Sequence, residues 1–212
     1  IKYNLEHLVQ YCIDYFLALK EKYGSKFPRR TKITSFENIE VTKVVANNAK
    51  LYVNKSEGFI GMSAKKIEDA EYVCDCSDID EILVFLKDGR YTIRKITEKQ
   101  FVERNIIHVA VFKRNDERTI YNVAYRDGRG GTVYAKRFAV TSVSRDKWYD
   151  LTQGKPDSSI CWFTVNPNGE AETIKVYLRP KAKLKKLIMD FDFSKLAIKG
   201  KGSMGNIITK HP

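Results

Sequence analysis

Apolar side chains recur at helical spacing over the first stretch of the chain and in short strand-like runs, separated by polar stretches, over the remainder. Leu5, Leu8, Cys12, Tyr15, Phe16 and Leu19 repeat at helical spacing, with Val9, Ile13 and Leu17 widening the stripe. This predicts one helix from about Asn4 to Tyr23, roughly 30 Å long at 1.5 Å per residue. Asn4 is placed to cap it, Gly24 suits the position after its end, and Pro28 stops its continuation. So wide a stripe expects a partner surface.

Beyond the basic linker 26–32 the texture is that of strands. Segments 50–54 and 58–62 flank a short turn, and 81–86 and 91–96 flank Lys87-Asp88-Gly89-Arg90. Segments 119–125 and 132–138 flank the Gly-rich stretch 126–131, and 160–165 and 172–178 flank Asn166-Pro167-Asn168-Gly169. A further alternating run covers 186–193. The Gly-containing turns of the second, third and fourth pairs are spaced roughly forty residues apart. Hairpins at near-regular spacing predict a mainly β repeat of strand-rich blades, with a plain β-sandwich as the competing arrangement.

Composition narrows the class. Of 212 residues, 43% are hydrophobic and 12% aromatic, too much for a solvated, unfolded chain. Mean hydropathy is −0.41, and no run approaches the ~18 apolar residues of a spanning helix, so no membrane partner is expected. The 38 Lys+Arg against 26 Asp+Glu leave a formal charge of +12, which makes nucleic acid the first partner to consider. That charge is patterned. Residues 1–34 hold seven bases and three acids, 179–212 nine and two, and the middle is near balance. Within the middle, 66–81 hold seven acids, whereas 111–145 hold eight bases against three acids. Residues 179–186 place five cations in eight positions. Arg126, Arg129, Lys199 and Lys201 sit among glycines, where backbone N–H groups can also approach phosphates.

Motifs for chemistry are missing or misplaced. Gly200-Lys-Gly202-Ser-Met-Gly205 spells a dinucleotide fingerprint, but a β-branched stretch comes after it where a helix is needed. His108 lies in the apolar run 106–112 and reads as a satisfied strand histidine. Cys12, Cys74, Cys76 and Cys161, with the scattered His7, His108 and His211, show no metal-ligand spacing. Reduced structural thiols, no metal and no catalytic residue are therefore expected, in a reducing compartment. A start at Ile1 and an end just after the strand-like 206–210 give the look of a fragment of a longer protein, truncated at its C-terminus.

Several of these residues line up with a family. Lys22-Tyr-Gly24 followed by Arg29-Arg-Thr31, after an amphipathic helix, resembles the end of the breakage-reunion region in A subunits of bacterial type IIA topoisomerases. There a YGD-x-RRT-like stretch leads into the C-terminal domain; here the Asp is absent and Ser25-Lys-Phe-Pro28 is inserted. Segment 162–169, Lys175-Val-Tyr177, Pro180 and segment 199–205 resemble one blade of that family's β-pinwheel, and 83–89 resembles the same hairpin in an earlier blade. The gyrase A subunit's Q-[KR]-R-G-G-[KR]-G box is missing, Arg129-Gly-Gly131 being at most a piece of it. The resemblance is thus closer to the topoisomerase IV branch.

The resemblance implies a helix and basic linker over 1–34, then a partial β-pinwheel of about four blades over 35–212. It implies a non-catalytic, DNA-binding module of an ATP-dependent topoisomerase, cytoplasmic and nucleoid-associated. Its partners would be duplex DNA, the remainder of the A subunit and the ATPase B subunit. ATP and Mg would be needed only by the intact enzyme, and the family's active-site Tyr precedes this segment. On this reading a basic outer edge holds bent DNA by its phosphates. The expected contacts are Arg126, Arg129, Lys136, Arg137, Arg179, Lys181, Lys183, Lys185, Lys186, Lys199 and Lys201. Lys136 and Arg137 are neighbours on a strand and face opposite ways, so only one of them would touch DNA. Arg29 and Arg30 would fix the orientation between domains. The competing reading is a propeller-like protein-interaction module whose basic surface takes an acidic partner.

Overall fold

The computed structural model describes residues 5–27, 48–152, 154–180, 184 and 186–210. The chain divides into two units, 1–45 and 46–212. The first holds helix α1 (Leu5–Tyr23), with Lys20 and Lys22 in its last turn, where the helix dipole favours cations. Gly24 N–H donates to Lys20 O at 2.8 Å, and a Cβ at 24 would come within 2.4 Å of that oxygen, so glycine is required there. Tyr11, Tyr15, Phe16 and Leu17 are exposed. Asn4 and the linker arginines Arg29 and Arg30 lie outside the described residues. No described helix is long and apolar enough to cross a membrane.

The second unit is built from strands. They are β1 (Ala49–Asn54), β2 (Phe59–Gly61), β3 (Glu71–Cys76), β4 (Glu81–Leu86), β5 (Arg90–Lys95), β6 (Gln100–Phe101), β7 (Ile106–Val111) and β8 (Ile120–Arg126). Then come β9 (Val133–Phe138), β10 (Tyr149–Asp150), β11 (Ser159–Asn166), β12 (Thr173–Tyr177), β13 (Ile188–Asp192), β14 (Ile198–Lys199) and β15 (Asn206–Thr209). They form sheet A (β3-β1-β2-β6), sheet B (β7-β4-β5-β10), sheet C (β11-β8-β9-β14, with β15 also on β9) and sheet D (β12-β13).

Sheets A, B and C share one plan. A central antiparallel hairpin (β1–β2, β4–β5 or β8–β9) takes a later strand on each edge. One of these, β3, β7 or β11, pairs with the first strand of the hairpin. The other reaches back from beyond the next hairpin: β6 onto β2, β10 onto β5, β14 and β15 onto β9. Each sheet is therefore completed by the next unit in the chain. This is the propeller-like, mainly β architecture expected from the repeat.

The sheets stack face to face, and strand alternation decides which side chains fill each gap. Ile82, Val84 and Leu86 of β4 meet Leu51, Val53 and Ile60 of sheet A. The alternate Leu83 and Phe85, with Tyr91 and Ile93, meet Tyr121, Val123, Tyr125 and Phe138 of sheet C. Ala124, Val133 and Ala135 on the far side of sheet C meet Ile174, Val176, Met189 and Phe191 of sheet D. A strand covered on both faces needs an unbroken apolar run, and β4 reads EILVFL. The edge strands β3, β7 and β11 converge on a cavity of about 380 Å³, which identifies them as the inner edges. The outer edges are then β6, β10 and β14/β15.

The connectors from β6 to β7 and from β10 to β11 strap successive hairpin turns together. Val102 N–H and Ile106 N–H donate to Gly58 O and Lys55 O of the first turn at 2.9 and 3.0 Å. Leu151 N–H and Ile160 N–H donate to Gly89 O and Lys87 O of the second at 2.9 and 2.8 Å. The strap runs so close that a Cβ on Gly58 (φ +81°) would lie 2.3 Å from Glu103 O, whereas Gly130 (φ +67°) has nothing within 4 Å. Gly130→Ala should therefore cost only the left-handed backbone penalty, about 1 kcal/mol. Gly58→Ala adds a backbone collision and should cost about 3 kcal/mol or more. Thermal unfolding of the two variants checks the difference; equal losses would mean the strap yields freely.

The expected hairpin 160–165/172–178 does not form. β11 pairs with β8 and β12 with β13, so Asn166–Gly169 is a passage between sheets C and D. Its anchor is a buried polar group. Arg137 donates to Gly169 O (2.6 Å), Glu170 O (3.2 Å) and, through Nε, to Asn122 Oδ1 (3.0 Å). Asn122 in turn donates to Glu172 Oε2 at 2.6 Å. The segment 200–205 joins β14 to β15, so the dinucleotide spelling lacks the strand-to-helix setting it requires.

Candidate nucleic-acid interface

Three outer-edge positions share a build in which a cation rests on an aromatic ring or a side-chain amide. On sheet A, Lys99 Nζ lies 4.5 Å from the centre of the Phe59 ring, which packs edge-on against Phe101 at 5.4 Å. On sheet B, Arg90 and Arg94 lie over Trp148 at 5.0 and 5.8 Å, and Lys147 and Lys201 over Tyr149 at 5.7 and 5.4 Å. On sheet C, Lys199 donates to Asn206 Oδ1 at 3.0 Å. A ring beneath an ammonium fixes the stem without neutralising the charge. Arg90 and Arg94 are paired with Asp88 (2.6 Å) and Asp146 (2.9 Å). Lys99, Lys147, Lys199 and Lys201 have no acidic partner among the described residues. The first inner edge carries the opposite sign: β3 bears Glu71 and Asp75, with Asp78 and Asp80 just beyond it.

The described candidates among those named from the sequence separate into three groups. Arg129, Arg179, Lys186 and Lys199 are exposed, the first three at the hairpin turns of sheets C and D. Arg126 is half-buried and donates to Ser159 Oγ at 3.2 Å, while Lys201 is half-buried and donates to Ser142 O. Lys136 and Arg137 face opposite ways as expected, yet both are buried and neither reaches the surface. Lys136 Nζ donates to Leu151 O (2.6 Å), Lys201 O (2.8 Å) and Ser203 O (3.2 Å). With Arg137 committed to the passage between sheets, both drop out as phosphate contacts. Lys181, Lys183 and Lys185 lie outside the described residues.

Lys99 and Lys147 were missed, as were Arg90 and Arg94. A signal existed: Lys99-Gln100-Phe101 and Lys147-Trp148-Tyr149 set a lysine two residues before an aromatic at matching places in the repeat, leading into β6 and β10.

The inner edges border a cavity as well. It is lined by Cys74, Asp75, His108, Phe112, Tyr121 and Val165 among others. His108 is on a strand as expected, but its Nε2 is buried without a partner and its ring packs among Phe85, Tyr121 and Phe163. Burial, with a lesser push from Lys55, lowers its pKa to about 4. The unfolded histidine binds protons more tightly than the folded one between pH 6.5 and 4, so stability held above pH 6.5 drains away as pH falls through that window. The loss should reach about 3 kcal/mol. His108→Phe should flatten the melting-temperature profile between pH 6.5 and 4, and parallel profiles for the two proteins would refute the assignment. Among the described residues no group of His, Cys, Asp and Glu could hold a metal, and the cysteines are free thiols.

Comparison with known proteins bears on the whole strand-rich unit. The A subunit of DNA topoisomerase 4 from Borreliella burgdorferi is 29% identical over 168 residues, 79% of this chain. The matched region is 26% of that protein, so this chain spans about a quarter of the relative's length. A solved structure titled "Crystal structure of the C-terminal domain of DNA topoisomerase IV" overlays 89% of this chain and 65% of that one, with TM-score 0.46 and 12% identity. Residues 50–212 match the family described as "Topoisomerase C-terminal domain, Bacteroidota". That match covers most of the chain and takes in all four sheets but for Ala49, and with it the resemblance to type IIA topoisomerases seen in the sequence holds: this chain belongs to the topoisomerase C-terminal domain family.

Proposed function

We propose that the strand-rich unit is the DNA-holding C-terminal module of a type IIA topoisomerase A subunit, gripping and bending duplex DNA along its outer edge by phosphate contacts. The observation that carries this is the row of supported cations on the outer edges of sheets A to C, with the acidic strand β3 at an inner edge. Lysines on strand edges meet phosphate oxygens but present nothing shaped to read base edges, so binding is indifferent to sequence. Sheets whose inner edges converge on one cavity fan outward, so their outer-edge cations would lie along an arc, and DNA that tracks it must bend at an elastic cost offset by added phosphate contacts. In the intact enzyme the module would hold a DNA segment for ATP-dependent strand passage, with the rest of the A subunit and an ATPase B subunit as partners.

The test is end-to-end energy transfer on doubly labelled duplexes. Transfer should rise on binding, with the same affinity for duplexes of unrelated sequence. If polyglutamate displaced the DNA at equal charge concentration, the surface would be a generic acid-binding one and this reading would fall.

A further inference from the structure

Lys136 is an unusual place to keep a charge. It is 2% exposed, on the central strand β9 of sheet C, with its ammonium between the Tyr125 and Phe138 rings at 5.7 and 5.3 Å. An ammonium has three N–H donors and no acceptor. Here there are three acceptors, the carbonyls of Leu151, Lys201 and Ser203. Two of these belong to the Gly-rich loop between β14 and β15, and the third to the strap that leaves β10. β14 runs parallel to β9 at Arg137 and Phe138, and β15 antiparallel at Ala135 and Tyr134, so the loop joining them must bulge over position 136. Gly205 closes the bulge: its N–H donates to Tyr125 Oη at 3.3 Å, and a Cβ there would lie 2.7 Å from Ala135 O.

We propose that Lys136 is a positioning residue, whose ammonium clamps loop 200–205 onto sheet C and so sets Lys201, and Lys199 at the end of β14, in place on the outer edge. The clamp itself is independent of what the loop binds; its consequence for DNA rests on the proposed DNA-holding function. An apolar residue at 136 would leave the buried Leu151 carbonyl without this donor and would strip the half-buried Lys201 and Ser203 of their bonds to the sheet, which favours release of the loop over retention. Burial lowers the ammonium's pKa to about 8, against a smaller opposing pull from Asp150. Burial thus works against the charge, and the three carbonyls are the bonds the ammonium makes in its place.

The test uses the full chain and Lys136→Met. Amide exchange in 200–205 should accelerate at least about tenfold while the β1–β2 and β4–β5 amides keep their protection, the signature of local opening. Unchanged protection in the loop would overturn the clamp. DNA affinity and the salt slope of Lys136→Met should fall to those of Lys199→Gln/Lys201→Gln, and the triple variant should fall no further. Additive losses would show that Lys136 does not act through that loop. Should Lys136→Met fail to fold, the wild-type chain decides: its lysine ammonium protons should include one slowly exchanging set assigned to Lys136, and uniformly fast exchange would refute the hydrogen-bonded clamp. If the wild type bound no DNA, the functional reading alone would fall, because the exchange experiment contains none.

Discussion

Replacing Lys99, Lys147, Lys199 and Lys201 together by glutamine is expected to remove most of the salt dependence of DNA binding while leaving the fold intact. Six outer-edge cations, these four together with Arg90 and Arg94 once they exchange Asp88 and Asp146 for phosphate, give a slope of log K against log salt of about −5. Such a slope means roughly a thousandfold loss of affinity between ~50 and ~200 mM salt. Taking away four contacts leaves a slope of about −2 and only about a tenfold loss over the same range. Glutamine keeps much of the Lys99, Lys147 and Lys201 stems on their rings, so packing over Phe59 and Tyr149 is largely retained and the melting temperature should hardly move. A variant that melts like wild type and keeps the full slope would place the DNA elsewhere, with the hairpin-turn cations Arg129, Arg179 and Lys186 next in line.

The largest stability effect is expected at Phe85. Its side chain is wholly buried, and its ring centre lies 5.2 Å from Tyr91, 5.0 Å from Tyr121 and 5.0 Å from Phe163. Those rings belong to β5, β8 and β11, so one side chain joins sheet B to the middle and inner strands of sheet C. Phe85→Ala removes the transfer energy of the ring and leaves a cavity that rigid strands close poorly, a cost of about 4 kcal/mol. For a unit of this size that is roughly a 10 °C drop in melting temperature. Phe85→Leu should lose less than half as much. Similar losses for the two substitutions would mean that the interface between sheets B and C repacks freely.

Local pairing was legible in the sequence, and returning strands were not. The hairpins β1–β2, β4–β5 and β8–β9 could be read because their partners are adjacent in the chain and their turns carry glycine. Strand β6, Gln100–Phe101, and strand β10, Tyr149–Asp150, are too short for any alternation to show, yet they complete sheets A and B. Strand β3 was hidden by its acids, which an inner edge facing a cavity tolerates. The passage at Asn166–Gly169 looked like a hairpin turn because nothing nearby in the chain reveals that Arg137 and Asn122 pin Gly169 and Glu170.

The same limit governs the candidate interface. Lys136-Arg137 spells a basic pair on a strand, and a lone basic pair is ordinarily solvated. Both are instead consumed by carbonyls from distant segments, Leu151, Lys201 and Ser203 for one, Gly169 and Glu170 for the other. Lys199 and Lys201 could be picked out from their glycines, but their companion Lys147 arrives from another stretch of chain through Tyr149.

The salt dependence of wild-type binding to two duplexes of unrelated sequence tests the central claim most directly. A common slope of about −5 for both duplexes is the predicted result. A slope near zero, or binding confined to one of the two sequences, would contradict an outer edge that holds DNA by its phosphates.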